Sequence, residues 1–210
     1  MSLNQTSEIT DARAVLETES SAIKLAAERL DANFIRAVEI LDVPDGKIVV
    51  TGLGKSGHVG RKIAATFCST GSPAVFMHAS EAVHGDLGVH QSGNPTIFLS
   101  NSGSTSELLA LVPILRNRCS SLVGILGNLD GVLAQKMDVA LDASVSREAD
   151  PLGIVPTASF VVTAALGDAL ASSLMHKRGF SEEDYAYTHP GGQLGRSWTL
   201  SVNDLMHPVE

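Results

Sequence analysis

Aromatic residues and cysteines are scarce in this sequence. Aromatic side chains make up 4% of the 210 residues, so the core is expected to consist of aliphatic and small side chains. Cys68 and Cys119 both fall within predicted helices, and they form no CxxC or CxxxC spacing. We therefore expect free thiols in the core rather than a disulfide or a thiolate metal site.

The sequence also lacks the patterns of a secretory leader and of a membrane span. No basic stretch followed by an apolar one opens the chain, and no apolar run approaches the roughly 20 residues that cross a bilayer. The formal net charge is −8, with acidic and basic residues mixed along the chain, which argues against a general nucleic-acid surface. A cytoplasmic protein with neither nucleic acid nor membrane as a partner is expected.

Five short apolar runs predict the strands of one sheet. The runs are continuous rather than alternating, as is typical of parallel strands buried on both faces, and helical patterns at 58–69 and 106–118 separate them. This alternation predicts an α/β fold, a five-stranded parallel sheet flanked by helices in a flavodoxin- or Rossmann-like three-layer sandwich. The predicted strands are 48–51, 74–77, 96–100, 122–126 and 139–142.

Apolar periodicity predicts two long helices outside the sheet. Leu16, Ile23 and Leu30 recur every seven residues, which indicates one helix over 10–41 that either covers the sheet or meets another subunit. The second helix, at 156–177, is rich in small residues, and Asp168 within it favours a core helix over a membrane span. Residues 181–195 are predicted to be a turn-rich loop.

These elements divide the chain into three parts. Residues 1–45 are predicted to be a helical segment that packs on a main domain at 46–200, which is long enough to bury a substantial core. Residues 201–210 begin an apolar and polar pattern that stops abruptly, which suggests the start of a further domain that has been cut short.

Two polar loops that directly follow predicted strands are typical of a phosphate site. The first is Gly52-Leu53-Gly54-Lys55-Ser56-Gly57, and the second runs from Ser100 to Glu107 with the sequence SNSGSTSE. Each offers backbone N–H groups, hydroxyls and a helix N-terminus, which together bind anions. The candidate phosphate ligands are Gly54, Ser56, Ser100, Asn101, Ser102, Ser104 and Thr105.

The first loop also matches the pattern G-x-G-x-x-G of dinucleotide-binding proteins. The acidic residue that binds the ribose about 20 residues later is missing, because Phe76, Met77 and His78 occupy that region. The sequence therefore favours a phosphate site that needs no nicotinamide cofactor.

Glu107 has two possible roles. Ser104 and Glu107 have the spacing of a capping box, which stabilises a helix without any catalytic function. Alternatively, the carboxylate is a general base held beside the phosphate loop. The sequence leaves both roles open, and they are compatible only if Glu107 turns toward the ligand.

His84 and His189 are candidates for proton transfer. Both lie in glycine-rich loops, where α/β proteins build their sites, and histidine exchanges protons readily near neutral pH. A purely structural role is the alternative for each. No pair of histidines has the HExxH spacing, so no metal site is expected.

Together these segments resemble the sugar isomerase (SIS) domain family and, within it, the arabinose-5-phosphate isomerases. The resemblance extends from about residue 10 to the C-terminus. The SNSG run is typical of SIS domains in general, whereas the HGDLG and HPGG elements together with GKSG are typical of this isomerase. The matching segments are GLGKSGH at 52–58, EAVHGDLG at 81–88, SNSGSTSE at 100–107, PLGIVPT at 151–157, HPGGQLGR at 189–196 and VNDLM at 202–206.

The resemblance implies the interconversion of D-arabinose 5-phosphate and D-ribulose 5-phosphate through an enediolate, without a cofactor, at the entry to Kdo and lipopolysaccharide biosynthesis. It implies a homotetramer with sites at the subunit boundaries. It also implies that 201–210 begins the first of two CBS domains. The catalytic positions of the family fall on Lys55, His84, Glu107 and His189, and its phosphate-binding positions on Ser56, Ser100, Ser102 and Thr105.

Two other functions are consistent with the same motifs. Another SIS phosphosugar isomerase would share the phosphate loops and differ in the length of the sugar. A non-catalytic sugar-phosphate sensor would need none of Lys55, Glu107 and the histidines. Such sensors usually carry a DNA-binding module ahead of the SIS domain, and here only one helix is predicted before the first strand.

Overall fold

The computed structural model describes residues 3–192 and 195. The predicted start of a further domain, at 201–210, lies outside these residues. The strands are β1 (Ile48–Gly52), β2 (Ala74–His78), β3 (Thr96–Ser100), β4 (Leu122–Leu126) and β5 (Val139–Asp142). The helices are α1 (Leu3–Glu28), α2 (Ala32–Leu41), α3 (Gly54–Ser69), α4 (Ala79–Ala82), α5 (Ser106–Asn117), α6 (Ala158–Lys177) and α7 (Glu182–Thr188), and short 3₁₀ turns occupy Asp86–Val89 and Ala134–Lys136.

The five strands form one parallel sheet in the order β2-β1-β3-β4-β5. The predicted strands are confirmed, with bounds that differ by at most one residue. All residues of β1, β3 and β4 are buried, because helices cover both faces of the sheet. This explains why their sequences are continuous apolar runs rather than alternating ones.

Two aliphatic cores lie on opposite faces of the sheet. On one face Val50 and Ile97 pack with buried residues of α1, α2, α3 and α6. On the other face Val49 and Phe98 pack with α4 and α5. The three-layer sandwich expected from the sequence is confirmed.

The N-terminal helix is not continuous, contrary to the prediction of a single helix over 10–41. Helix α1 ends at Glu28, and α2 begins after Asp31, whose carboxylate accepts a hydrogen bond from the Asn33 backbone N–H at 2.8 Å. Ala22 and Ala26 of α1 join the core, whereas Leu16 and Ile23 are exposed. The seven-residue stripe predicted from the sequence therefore lies away from the core of its own chain.

The segment predicted as a turn-rich loop at 181–195 contains helix α7, so that prediction is wrong for 182–188. Ser181 and Asp184 form a capping box, in which the Ser181 hydroxyl accepts from the Asp184 N–H and the Asp184 carboxylate accepts from the Ser181 N–H. Two reciprocal hydrogen bonds stabilise the start of this short helix.

The expectation of core cysteines is also wrong. Both thiols are free, as predicted, but both residues are exposed. Cys68 lies on the outer face of α3, where its thiol donates to the Ala74 carbonyl at 3.2 Å. Cys119 follows α5 in a left-handed turn with φ of 57°, so it is not helical.

Helix α6 is, within the described residues, the one helix long and apolar enough to cross a membrane by length and composition. It packs against α1, α2 and α3, and residues along its length, including Val162, Leu166 and Leu170, are buried in the core. Asp168 pairs with Lys62 of α3. These contacts are those of a core helix, as expected from the sequence.

Candidate active site

The order of the strands places a crevice between β1 and β3. From β1 the chain crosses to β2 on one side and then returns to β3 on the other side, so the loops after β1 and β3 diverge at the carboxyl edge of the sheet. Doubly wound sheets bind ligands at such a switch point. Thr51, next to the end of β1, pairs with Phe98 of β3, so the two loops that follow start from neighbouring strands.

A cavity of about 220 Å³ occupies this crevice. One wall comes from the two polar loops, and the opposite wall comes from the start of α6. The lining residues are Leu53, Lys55, Ser56, Val59, Asn101, Pro156, Ser159, Phe160 and Thr163. The structure therefore brings together three of the predicted site residues, Lys55, Ser56 and Asn101.

The first loop presents the N-terminus of α3 to the crevice. Gly54 begins the helix with φ of 52°, a conformation that favours glycine. No side chain of the described residues caps this end, so the first N–H groups of the helix are available to an anion. Lys55 is exposed, and within residues 3–192 it has no ion-pair partner. The loop therefore combines a helix end with a positive charge.

Internal hydrogen bonds shape the second loop. The hydroxyls of Ser100 and Thr105 lie 2.9 Å apart, and the Gly103 N–H donates to the Ser100 hydroxyl at 3.1 Å. Ser100 is buried, whereas Ser102 and Ser104 are exposed, and the Ser102 hydroxyl accepts from the Ser104 N–H at 3.3 Å. These contacts close the loop into a compact turn with exposed hydroxyls on its outside.

A close approach to the next loop also holds this turn. Gly103 has φ of 65°, and a Cβ atom there would lie 2.5 Å from the Asn128 carbonyl oxygen. A Cβ at Gly127 would lie 2.1 Å from the Oδ1 atom of Asn101. The loop after β4 thus packs directly beneath the loop that carries Asn101, and glycines make this packing possible.

Glu107 lies in the first turn of α5 and does not form the predicted capping box. The helix begins at Ser106 after Thr105, and no side chain in the described part of the chain makes a capping hydrogen bond there. Its own backbone N–H and the Ser106 hydroxyl, which donates to Oε2 at 2.8 Å, lower the pKa of the exposed Glu107 carboxyl. Glu107 is therefore an ionised carboxylate on the carboxyl edge of the sheet, although it does not line the cavity.

His84 also lies at the carboxyl edge but outside the cavity. It follows α4, the short helix after β2, in a loop where it is exposed. This loop packs over the second core, on the side of the sheet where α5 lies.

The structure positions His189 through helix α7. Its ring stacks on Tyr185 with the ring centres 4.0 Å apart, and Nδ1 lies 3.0 Å from the Tyr185 carbonyl oxygen and 2.9 Å from the Thr188 hydroxyl. The Thr188 hydroxyl also donates to this carbonyl, so these contacts fix the orientation of the His189 ring.

His189 does not belong to the crevice of its own chain. Helix α6 ends at the amino edge of the sheet, where Arg178 donates to Asp42 at 2.9 Å and to Ser72 at 3.0 Å. Phe180 packs there against Gly71. Helix α7 therefore starts at the edge opposite to the loops that carry Lys55 and Asn101.

The sequence did not single out the wall of the crevice that comes from α6. The wall residues Pro156, Ser159, Phe160 and Thr163 lie about 50 residues beyond the second polar loop along the chain. The PLGIVPT segment at 151–157 contains Pro156 and was the one motif that reached this wall.

The doubly wound sheet has a crevice at its switch point that is lined by Lys55 and by the start of α3, and it defines an α/β protein of the kind that binds ligands at the carboxyl edge of the sheet. Residues 43–173 match the SIS domain. The chain belongs to the SIS domain family.

Two curated relatives and one solved structure refine this assignment. The chain is 46% identical over 202 residues to the arabinose 5-phosphate isomerase KdsD of Pseudomonas aeruginosa. The aligned region covers 96% of this chain and 62% of that protein. It is 46% identical over 195 residues to KdsD of Escherichia coli K12, and the aligned region covers 93% of this chain and 60% of that protein. The chain therefore spans about three fifths of the length of these relatives. The structure of Escherichia coli CFT073 c3406 in complex with arabinose 5-phosphate has a TM-score of 0.84 and 35% identity, covering 90% of this chain and 100% of that one.

Proposed function

We propose that this protein interconverts D-arabinose 5-phosphate and D-ribulose 5-phosphate without a cofactor. The observation that carries the proposal is the crevice in which Lys55, Ser56 and Asn101 come together, with the ionised Glu107 on the same edge of the sheet. The names of the relatives, arabinose 5-phosphate isomerases at 46% identity, support the choice of substrate.

The two polar loops bind the phosphate of the substrate in this proposal. Gly54 and Ser56 contribute from the start of α3, and the second loop contributes Ser100, Asn101, Ser102, Ser104 and Thr105. A phosphate held by several N–H groups and hydroxyls anchors the far end of the sugar and fixes the position of its reacting carbons.

The reaction itself moves a proton between neighbouring carbons. Glu107 takes the proton from C2 of the open-chain aldose, and the electrons of the C–H bond form an enediolate whose negative charge lies on the oxygen at C1. The charge of Lys55 stabilises this oxygen. After the hydroxyl proton moves from O2 to O1, Glu107 returns its proton to C1, and the ketose results.

His84 and His189 open the sugar ring and orient its hydroxyls in this mechanism. Neither lines the crevice of its own chain, so we propose that they act across subunit boundaries in a homotetramer. The exposed apolar residues of α1, Ile9, Leu16 and Ile23, support a surface for such assembly. Residues 1–45 form an N-terminal segment on a SIS domain at 46–200, and 201–210 begin a CBS domain.

We place the enzyme in the cytoplasm, where its product supplies Kdo for lipopolysaccharide. Its proposed partners are the sugar phosphate and further copies of the chain, with neither nucleic acid nor membrane among them. The net charge of −8 is consistent with the absence of a nucleic-acid surface.

A ketose-detecting assay tests the proposal with four substrates: arabinose 5-phosphate, ribose 5-phosphate, glucose 6-phosphate and glucosamine 6-phosphate. Turnover confined to arabinose 5-phosphate is the expected result. Turnover of a six-carbon phosphate alone would indicate another SIS isomerase, and binding without turnover of any substrate would indicate a sensor.

A further inference from the structure

The wall of the crevice that comes from α6 has one aromatic side chain at its centre. Phe160 and Thr163 are three residues apart, which places them on one face of the helix, and Pro156 comes four residues before Phe160. At a rise of about 1.5 Å per residue, Phe160 and Thr163 are separated by about 4.5 Å along the helix axis. Phe160 therefore occupies the middle of the wall opposite Lys55.

The floor of the crevice lies where α6 meets α3. Val59 and Thr163 line the cavity from the two helices. One turn further along each helix, Ile63 and Gly167 are in close contact, since a Cβ at Gly167 would lie 2.4 Å from Cγ1 of Ile63. The crevice is thus a wedge that closes beyond Thr163, so a longer ligand finds no further depth between the two helices.

The two walls differ in the hydrogen-bond donors of their side chains. On the loop wall, the Lys55 ammonium and the Ser56 hydroxyl have no partner among the described residues, so both are available to a ligand. On the α6 wall, the Ser159 hydroxyl donates to the Glu148 carboxylate, and the Thr163 hydroxyl donates to the Ser159 carbonyl at 2.8 Å. The hydroxyl protons of the α6 wall are therefore already in use.

This difference orients a phosphorylated ligand in the crevice. A phosphate is anionic and its oxygens are strong acceptors, so it lies against the loop wall, where the donors are. The carbon chain then lies against the side chains of Pro156 and Phe160, which have no polar group. A further hydroxymethylene group would meet the phenyl ring, where its hydroxyl has no side-chain donor and loses its hydration.

The size of the crevice is consistent with a short ligand. Its volume of about 220 Å³ is below the roughly 300–1,000 Å³ of sites that hold drug-sized molecules. Phe160 is partly buried and packs against the core of its own face of the sheet, which holds the ring in place. Because the floor is closed, the space for a longer carbon chain is the space that this ring fills.

We propose that Phe160 is a specificity-determining residue, whose ring limits the substrate to a five-carbon sugar phosphate by filling the space that a sixth carbon would need. This inference rests on the proposed isomerase function, because it concerns the substrate of the same site. It predicts that removal of the ring admits a longer sugar phosphate.

The test compares arabinose 5-phosphate with mannose 6-phosphate, which has the same configuration at C2 and one more carbon. The measured quantity is the ratio of the two kcat/KM values. In Phe160→Ala this preference for the shorter sugar is expected to fall about tenfold or more, because one methylene group changes discrimination in an apolar pocket by about 10–200-fold. Phe160→Leu is expected to cause a smaller fall and serves if Phe160→Ala does not fold.

Phe34→Ala is the matched control. Phe34 is also partly buried and packs against the same core, but it lies on α2 and lines a different cavity. Both alanine variants lose a phenyl ring from this core, so both are expected to have a lower melting temperature, whereas the preference is expected to change only in Phe160→Ala. An unchanged preference in the Phe160 variants, or an equal fall in Phe34→Ala, would overturn the proposal.

A binding measurement distinguishes failure of this inference from failure of the proposed function. If the wild type isomerises neither sugar phosphate, the proposed function fails, and titration calorimetry with both compounds then measures the preference as a ratio of dissociation constants. A fall of about tenfold in this ratio in Phe160→Ala would support the role of Phe160. An unchanged ratio, or no binding of either compound to the wild type, would overturn it.

Discussion

The hydroxyl groups of Ser100 and Thr105 lie 2.9 Å apart and close the loop after β3. This contact links the last residue of the strand to the residue that precedes α5. Because Ser100 also accepts from the Gly103 N–H, its hydroxyl forms the internal framework of the loop.

Ser100→Ala is therefore expected to lower both stability and affinity. Loss of a buried hydroxyl that has two partners costs about 1–3 kcal/mol of unfolding free energy. The loosened loop is expected to raise KM for the sugar phosphate as well. Ser102→Ala is the matched comparison, since Ser102 is exposed, and it is expected to raise KM with little change in urea unfolding. Equal unfolding midpoints for the two variants would contradict the assignment.

Glu107→Gln is expected to fold normally, to bind sugar phosphate and to lose isomerisation by a factor of about 10²–10⁴, the usual contribution of a general base. The amide keeps the shape of the side chain but cannot take the C2 proton. Glu183→Gln, which removes an acid from the first turn of α7, controls for the loss of charge at a helix start and is expected to keep full turnover. Unchanged kcat in Glu107→Gln would show that the carboxylate is not the base.

If His189 of one copy acts at the crevice of another copy, two variants that are each inactive can restore activity when they assemble together. Lys55→Ala and His189→Ala are each expected to lose turnover, and co-refolded mixtures are expected to regain part of it, because some crevices then combine an intact Lys55 with an intact His189 from another copy. The measurement is kcat per site, with light scattering to confirm assembly. Mixtures that stay inactive although mixed oligomers form would contradict the shared site.

Gly167→Ala is expected to destabilise the fold. A Cβ at Gly167 would lie 2.4 Å from Cγ1 and 2.5 Å from Cδ1 of Ile63, where α6 meets α3. Overpacking costs about 1–3 kcal/mol, whereas alanine in place of glycine within a helix gains about 1 kcal/mol. We expect a net loss in urea unfolding. In Gly88→Ala the added Cβ contacts none of the described residues within 4 Å, so its unfolding midpoint is expected to stay close to that of the wild type.

The ion pairs of Asp42 are expected to make the stability of the fold depend on pH. Hydrogen bonds from Lys177 and Arg178, at 3.0 and 2.9 Å, lower the pKa of the Asp42 carboxyl in the folded state. Its stabilising effect is therefore fully present above the pKa of about 3.9 in the unfolded chain and is lost as the pH falls through the lower folded value.

Asp42→Asn is accordingly expected to lower the free energy of unfolding at pH 7 by about 1 kcal/mol or less, as partly exposed ion pairs do. The difference from the wild type is expected to shrink as the pH falls below about 4. Urea unfolding at pH 7, 5 and 3.5 measures it, and a difference that grows toward acid pH would contradict the assignment.

The sheet could be predicted from the sequence because local composition determines it. Continuous apolar runs such as 122–126 are typical of strands covered on both faces, and the helical patterns between them favour parallel connections. The two polar loops could be placed for the same reason, since each directly follows a strand. The two loops lie close together because β1 and β3 are neighbours in the sheet.

The errors arose where a local signal was ambiguous. The apolar period that runs through Leu30 hid the break before Asp31, where a capping carboxylate starts a new helix. Ser104 and Glu107 have the spacing of a capping box, but α5 begins only at Ser106. The capping box that does form, at Ser181 and Asp184, lies in a segment without a strong apolar period.

The sequence by itself determined the strands, the polar loops at their ends and the residue types suited to proton transfer, because these depend on the immediate neighbours along the chain. Tertiary structure alone decided that the start of α6 forms the second wall of the crevice and that His189 leaves from the opposite edge of the sheet. The physical reason is packing between distant segments. Gly167 lets α6 lie against Ile63 of α3, and the carboxylate of Glu148 accepts hydrogen bonds from the Thr157 and Ser159 N–H groups at the start of α6.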